Sequence, residues 1–521
     1  MERAFDIAVI GSGFAGSLIA MIAKRLGRSV VLIEKSKHPR FVIGESSTPL
    51  ANLILEELAV RYDLPAIRPL AKWGTWQQSH PEIGCGLKRG FTFLHHEFGS
   101  AFSDDRAHRR QLLVAASPHD RIADTHWYRP DFDTFLVGQA QQLGVEYLDQ
   151  TELWGVDADR RRPVLQGRHQ GQPLEIHAGF IIDATGPRGF LHRALDLPAV
   201  SFQHLPPTQV LYTHFTGVKR WDELNRDGEL PPYPVDDAAV HHVFEGGWIW
   251  VLRFNNGVTS AGVAAVDKRA NEFRFAEGEP AWQRLLEKLP SVRAQFADAR
   301  ATRPFIHARP LSFLSGETAG PNWALLPSAA GFIDPLLSTG FPLTLLGVER
   351  LARIIESSWE REEFTAEVLN YSMQTTVELV ATGRLIAALY ASMHDVEMFN
   401  ALTLLYFVAA SFTEAARRLG RPELAGNTFL LGEHPHFAPR CRECLEAALR
   451  KPTGAARLEL LAKIQQAIEP VNIAGLARPE RRNWYPALAE DVLTAAPKLG
   501  ASDSEIIAML ERCEFATLAT K

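Results

Sequence analysis

Four consecutive apolar residues, Ile7-Ala8-Val9-Ile10, lead into a glycine-rich turn, then apolar positions at helical spacing over residues 15–26, then a second apolar run within residues 29–34. Unbroken apolar runs mark strands buried on both faces, and a period of 3.6 between them marks a helix. The chain therefore opens on a predicted β-α-β unit. A short helix and aromatic-rich material are expected over residues 52–99. Arg129-Pro130-Asp131-Phe132-Asp133 opens a further helix, with Pro130 suited to its first turn. Residues 145–148 read as a strand. Alternating runs with polar turns over residues 151–175 predict a β-meander that feeds a buried strand, Phe180-Ile181-Ile182-Asp183, and its loop. Alternation dominates residues 210–266, where residues 247–254 and Asn255-Asn256-Gly257 give a strand with a hairpin signal, so a second sheet is expected. Beyond about residue 343 the apolar spacing becomes helical, over residues 348–359, 364–389 and 444–461.

This order predicts an α/β chain. Residues 1–345 form a Rossmann-like module interleaved with sheet segments of a substrate domain, at about 51–100 and 200–300, and residues 346–521 form a C-terminal helical region. At 521 residues, with 46% hydrophobic and 22% charged positions, the chain has ample material for more than one core. A net charge of -6 gives no general attraction to nucleic acid, so a small molecule is the expected partner. Four cysteines make no disulfide framework, and the N-terminus runs directly into a strand, which suits a reducing cytoplasm. The most apolar stretch, residues 401–412, falls short of the ~20 residues of a membrane span and reads as a buried helix, with a membrane-skimming or substrate-lining role as the alternative. His434, His436, Cys441 and Cys444 lack the spacing of a standard zinc site, and no metal is expected.

Gly11-Ser12-Gly13-Phe14-Ala15-Gly16 fits G-x-G-x-x-G with a strand before it, a helix after it, and Glu34, followed by Lys35, ending the second strand. That context points to a dinucleotide, its pyrophosphate at the helix N-terminus and its ribose near Glu34. Two later segments favour FAD over NAD: Phe41-Val42-Ile43-Gly44-Glu45-Ser46-Ser47-Thr48-Pro49, and Ala329-Ala330-Gly331-Phe332-Ile333-Asp334-Pro335-Leu336-Leu337-Ser338-Thr339-Gly340. Lys88 stands between them in Cys85-Gly86-Leu87-Lys88-Arg89-Gly90-Phe91.

With the glycine fingerprint, Gly44-Glu45-Ser46, Lys88, Trp248-Ile249-Trp250 and the Asp334–Gly340 segment in this order, the chain resembles the flavin-dependent halogenases over most of residues 5–350. It is most similar to their phenol-type branch. The resemblance implies an FAD-binding fold of the glutathione-reductase or aromatic-hydroxylase type. It implies reduced FAD (FADH2), O2 and chloride or bromide as the sources of hypohalous acid, with a separate NAD(P)H-dependent flavin reductase as partner. The acceptor implied is an electron-rich aromatic, phenolic in class, either free or bound to a carrier protein.

Residue by residue, the resemblance makes Lys88 the catalytic amine and Ser338, Thr339 and Gly340 the halide loop. It places Gly11 to Gly16, Glu34, Lys35, Arg40, Gly44, Glu45, Ser46, Arg129, Asp183 and Asp334 around the flavin. Trp248, Trp250, Pro335, Phe91, Phe93 and His95 would line the passage from flavin to substrate, with His96 beside them. Three departures stand out. Leu252-Arg253 replaces the usual Ile-Pro after the tryptophans, Leu337 replaces the glutamate of the tryptophan-directed branch, and Leu326-Pro327-Ser328 stands where many FAD enzymes have Gly-Asp. An FAD monooxygenase or reductase of the same fold, and an FAD-binding protein without catalysis, are the rival readings.

Overall fold

The computed structural model describes residues 2–160, 162–225 and 229–515. The opening unit forms as its pattern predicts, with strand Glu2–Ile10, helix Phe14–Arg25 and strand Val30–Ile33. Its strands lie in a parallel sheet in the order Trp323–Leu325, Gln172–Asp183, Glu2–Ile10, Val30–Ile33, Glu146–Leu148. Both faces of that sheet are covered, so Ile7 to Ile10 and Val30 to Ile33 are buried throughout. The predicted meander is present. Thr151–Asp157 and Val164–His169 pair antiparallel with each other, and the latter with the long strand Gln172–Asp183.

A second, nine-stranded sheet carries Thr208–Thr216, Thr259–Val266, Gly247–Arg253, Ala239–Phe244, Gly90–His95 and Gln111–Ala115 side by side. Its two faces serve two different cores. Phe91, Phe93, Trp248, Trp250 and Ala264 pack on the same core as the parallel sheet. Leu94, Ile249, Val251 and Val263 pack on a second core with Trp282 and Phe296. Period-two alternation therefore turns both tryptophans toward the parallel-sheet half.

The C-terminal region differs from expectation in two ways. Residues 444–461 are two helices, Ala438–Leu449 and Gly454–Ile468, because Lys451 takes a left-handed φ of 52° and Pro452 cannot continue a helix. The region is also not purely helical. Trp484–Tyr485 adds a parallel edge strand to Gln111–Ala115, so the chain's end returns to the second sheet. The apolar stretch lies in helix Val396–Arg418, which is long and apolar enough to cross a membrane by length and composition. Yet 67% of its apolar window is buried inside the structure, where it packs on Phe91 and Phe93 as a core helix does.

Candidate active site

The nucleotide turn is built by close approach. Gly11 has φ 98°, and a Cβ on Gly16 would sit 1.9 Å from the Gly11 carbonyl oxygen, so helix Phe14–Arg25 can start this near the strand only with glycine there. Gly13 is different. The atoms nearest to where its Cβ would be are guanidinium nitrogens of Arg129 at 3.4 Å and Arg40 at 3.5 Å. No side chain caps the helix start. Two cations and free helix amides around an open glycine suit a pyrophosphate.

Arg129 is held by a two-pronged bond to the fully buried Asp133, at 2.8 Å on each prong, and donates a third bond to the Gly44 carbonyl at 2.8 Å. Glu34 accepts from the backbone N–H and hydroxyl of Ser12 and from the N–H of Ser36. Burial works against its charge, but Arg40 and these donors keep its carboxyl below the usual range. Buried Nε of Arg40 and Nδ1 of His38 have no partner. This set of donors, acceptors and open backbone fits FAD. Lys35, by contrast, is on the surface opposite Glu152 at 3.9 Å.

The Gly44–Ser47 loop ties this turn to Lys88. Gly44 touches Arg129, and Glu45 is buried against His214, with Oε1 to Nε2 at 2.7 Å. Lys88, with no exposed surface, donates to the Ser46 hydroxyl at 2.9 Å and to the Ser47 carbonyl. Its ammonium lies 3.7 Å from the centre of the Phe91 ring. Ser46 thus serves the lysine. Gly86 explains the glycine before it: a Cβ there would lie 1.8 Å from the carbonyl oxygen of Arg253, so the lysine strand can press against the tryptophan strand only without a side chain. Arg253 itself, one of the departures, is anchored by Asp236 at 3.0 Å.

From Phe91 an aromatic series runs inward. His241 stacks on Phe91 and on Trp248, with centroids 5.9 Å and 5.1 Å apart. The Trp248 indole donates to Oδ1 of Asp334 at 3.2 Å, and Tyr390 donates to Oδ2 at 2.8 Å. Burial pushes Asp334 up to about 6, while the Leu336 N–H, Tyr390 and Trp248 restrain the shift. Trp250 donates to the Ser260 hydroxyl at 3.3 Å.

The loop after Asp334 is strained. Leu337 has φ 67° and Ser338 φ 55°, two left-handed residues in a row without glycine. Helix Gly340–Ser358 then begins at Thr339 with no side-chain cap. Strained backbone and an uncapped helix start suit an anion. Phe341, in the first turn of that helix, packs on Phe14 and Trp127 and so joins the loop of residues 338–340 to the glycine turn. Pro335 accepts the Ser338 N–H at 3.1 Å.

Four expected residues do other work. Asp183 accepts from the N–H and hydroxyl of Thr185 and the N–H of Leu191, so both of its oxygens are spent on folding its own loop. His95 bonds Asn400 at 3.0 Å, packs on Phe399, and is held down to about 4 by burial. Phe93 is buried behind His241, at 4.4 Å. Neither His95 nor Phe93 lines the cavity beside Lys88. His96 faces the second core, bonded to His242 at 3.0 Å. Among the described residues no group of three or more His, Cys, Asp or Glu is arranged to hold a metal.

Sequence reasoning reached part of the cavity wall, Phe91 and a lining role for residues 401–412, and missed Asn52, Val114 and Asp124. About 160 Å³ in volume, the cavity is lined by Asn52, Phe91, Val114, Asp124, Tyr406 and Phe407, among others. Asp124 stands directly across from Lys88 in the antiparallel pair Cys85–Lys88 with Asp124–Trp127. Only that register could have revealed it.

The family model described as FAD dependent oxidoreductase matches residues 6–326. The monodechloroaminopyrrolnitrin halogenase PrnC of Pseudomonas fluorescens is 29% identical over 78% of this chain and 71% of its own length. The tetracycline 7-halogenase of Kitasatospora aureofaciens is 27% identical over 71% of this chain and 66% of its own length. The crystal structure of halogenase PltM in complex with phloroglucinol and FAD superposes with a TM-score of 0.81 at 23% identity, covering 92% of this chain and 99% of that one, a likeness of fold. With a family match across more than half of its length and these relatives beside it, the chain belongs to the FAD dependent oxidoreductases and, among them, to the flavin-dependent halogenases.

Proposed function

We propose that this halogenase acts on a small electron-rich phenol in the cavity beside Lys88, with the lysine presenting hypohalous acid to the ring. Bound reduced FAD, with O2 and chloride or bromide, supplies that acid. Arg40, Arg129 and the amides that open helix Phe14–Arg25 hold the pyrophosphate, and Glu34 the ribose. The amides of Thr339 and Gly340 hold the halide. Trp248 and Asp334 keep the halide loop closed against the second sheet.

The observation that carries this reading is the burial of Lys88. Its amine has no exposed surface, bonds the loop that touches Arg129, and rests on Phe91, which lines the cavity. Burial lowers its pKa, and the carboxylate of Asp124 opposes that fall. Two hydrogen bonds and an aromatic face suit the ammonium form, which can donate to hypohalous oxygen and hold the oxidant away from water. A separate flavin reductase supplies FADH2, and the enzyme works in the cytoplasm. Incubation with freshly reduced FAD, O2, bromide or chloride and a panel of phenols tests the proposal. Aryl halides are expected; hydroxylated products without halide would refute it.

A further inference from the structure

A buried carboxylate faces the cavity with one oxygen unused. Asp124 is 6% exposed and lines the cavity. Its Oδ1 accepts from the Asn52 amide at 2.9 Å, while Oδ2 has no partner. Asn52 lines the cavity too, and its buried Oδ1 has no partner either. Two buried acceptors without partners, on neighbouring residues that both line the cavity, call for a donor from outside the chain, because an unpaired buried polar atom is costly. Opposite residues of an antiparallel pair project from the same face, so Asp124 and Lys88 share a side of their ribbon.

We propose that Asp124 is a second catalytic residue, the base that receives the phenolic hydroxyl of the substrate, held in place by Asn52. This rests on the halogenase reading and deepens it by requiring an acceptor with an ionisable hydroxyl. Asp124 Oδ2 takes the hydroxyl proton as a ring carbon attacks the halogen of hypohalous acid. The O–H and halogen–oxygen bonds break and a carbon–halogen bond forms. The electron pair of the halogen–oxygen bond leaves with hydroxide, which takes a proton from the Lys88 ammonium and departs as water. The resulting dienone gives its ring proton to the neutral Lys88 amine, and Asp124 returns its proton to the oxygen. Phenol and hypohalous acid become halophenol and water, the ring is oxidised by two electrons, and both side chains regain their starting charges.

Charged and titratable groups act on Asp124 or share its cavity. They are Lys88 on the paired strand, Glu56 on helix Pro49–Arg61, Lys72 in the following segment, and Tyr406, Glu414 and Arg418 on helix Val396–Arg418. Burial raises the Asp124 pKa, and Lys88 opposes the rise. The rate on phenols should accordingly climb with pH along an acid limb that the variant Asp124→Asn lacks.

The test compares bromination of resorcinol with that of 1,3-dimethoxybenzene, which has no hydroxyl to give up. Full-length enzyme is supplied with FADH2, O2 and bromide, and free hypobromous acid in buffer serves as the reference. The parent should favour resorcinol by about 100-fold more than the free acid does, the scale of general-base catalysis. Asp124→Asn should bring that ratio down to the free-acid value, and Asp124→Glu should restore part of it. If Asp124→Asn does not fold, Asn52→Ala reads the same ratio and should lower it. A parental ratio in the variant, or a parent no more selective than free acid, overturns the role of Asp124 while leaving the halogenase reading intact. A parent that brominates neither arene overturns that reading, and this inference with it.

Discussion

Trp248 donates its indole N–H to Oδ1 of Asp334 across 3.2 Å, joining the strand Gly247–Arg253 to the loop that leads into Ser338, Thr339 and Gly340. Both residues are buried, so no water replaces the bond when it is lost. Trp248→Phe should cost about 1–3 kcal/mol of stability by leaving Asp334 short of a donor. It should also loosen the proposed halide loop. The expected outcome is a raised KM for bromide with a smaller change in KM for the aromatic, measured by steady-state bromination at varied bromide.

Asp334 predicts a pH effect of definite sign. Burial raises its pKa from an ordinary 3.8 to about 6. Between those values the folded protein keeps a proton that the unfolded chain has lost, so stability falls as pH rises through that window and levels off above it. The full change corresponds to about 3 kcal/mol. Asp334→Asn removes the ionisation, and denaturant melts from pH 4 to 7 should show the variant gaining on the parent as pH rises. A constant difference would count against the buried carboxyl as the cause.

Lys88→Met should reduce aryl halide formation about a thousand-fold, while FAD binding, read by flavin fluorescence, persists because the nucleotide turn is untouched. In the parent, burial lowers the amine's pKa. A role for the ammonium therefore predicts that the rate declines with rising pH well before an ordinary lysine would titrate. A rate flat to pH 10 would exclude it.

Arg129 makes a prediction that separates binding from folding. Arg129→Gln strips the fully buried Asp133 of its two-pronged partner and should destabilise the fold by about 3–5 kcal/mol. The paired variant Arg129→Gln/Asp133→Asn removes the stranded charge and should recover much of that stability. Neither should recover FAD affinity, expected to fall about tenfold, the effect of losing roughly 1.4 kcal/mol of contact to the pyrophosphate. Calorimetry and FAD titration on the same samples decide it.

The half-buried Ser338 carries φ 55°, a conformation that costs non-glycine residues roughly 1–2 kcal/mol. Ser338→Gly should raise the melting temperature slightly and weaken halide saturation, because the relaxed loop no longer holds one shape. Thermal melts and bromide titrations are the measurements.

Much of this protein is local chemistry and so could be read along the chain. The nucleotide turn depends on glycine spacing between a strand and a helix, which neighbouring residues settle among themselves. The single burial face of Trp248 and Trp250 follows from the two-residue repeat of a strand. The helix break at Pro452 was equally local, yet periodicity alone ran across it.

Other assignments depended on partners far away in sequence. Ser46 lies in a segment with the look of a flavin contact, but its hydroxyl meets Lys88. Asp183 ends a strand at the right place for a cofactor, but its own loop consumes both oxygens. His95 points to Asn400 on a helix whose docking no periodicity encodes. Asp124 sits in an unremarked strand and gains meaning only when pairing register sets it across from Lys88. Residue types and repeats along the chain thus determined the nucleotide fold and the presence of an amine near it. Tertiary packing decided which groups lost their water and met one another, and so which of them can do chemistry, because desolvation and contact belong to the assembled molecule.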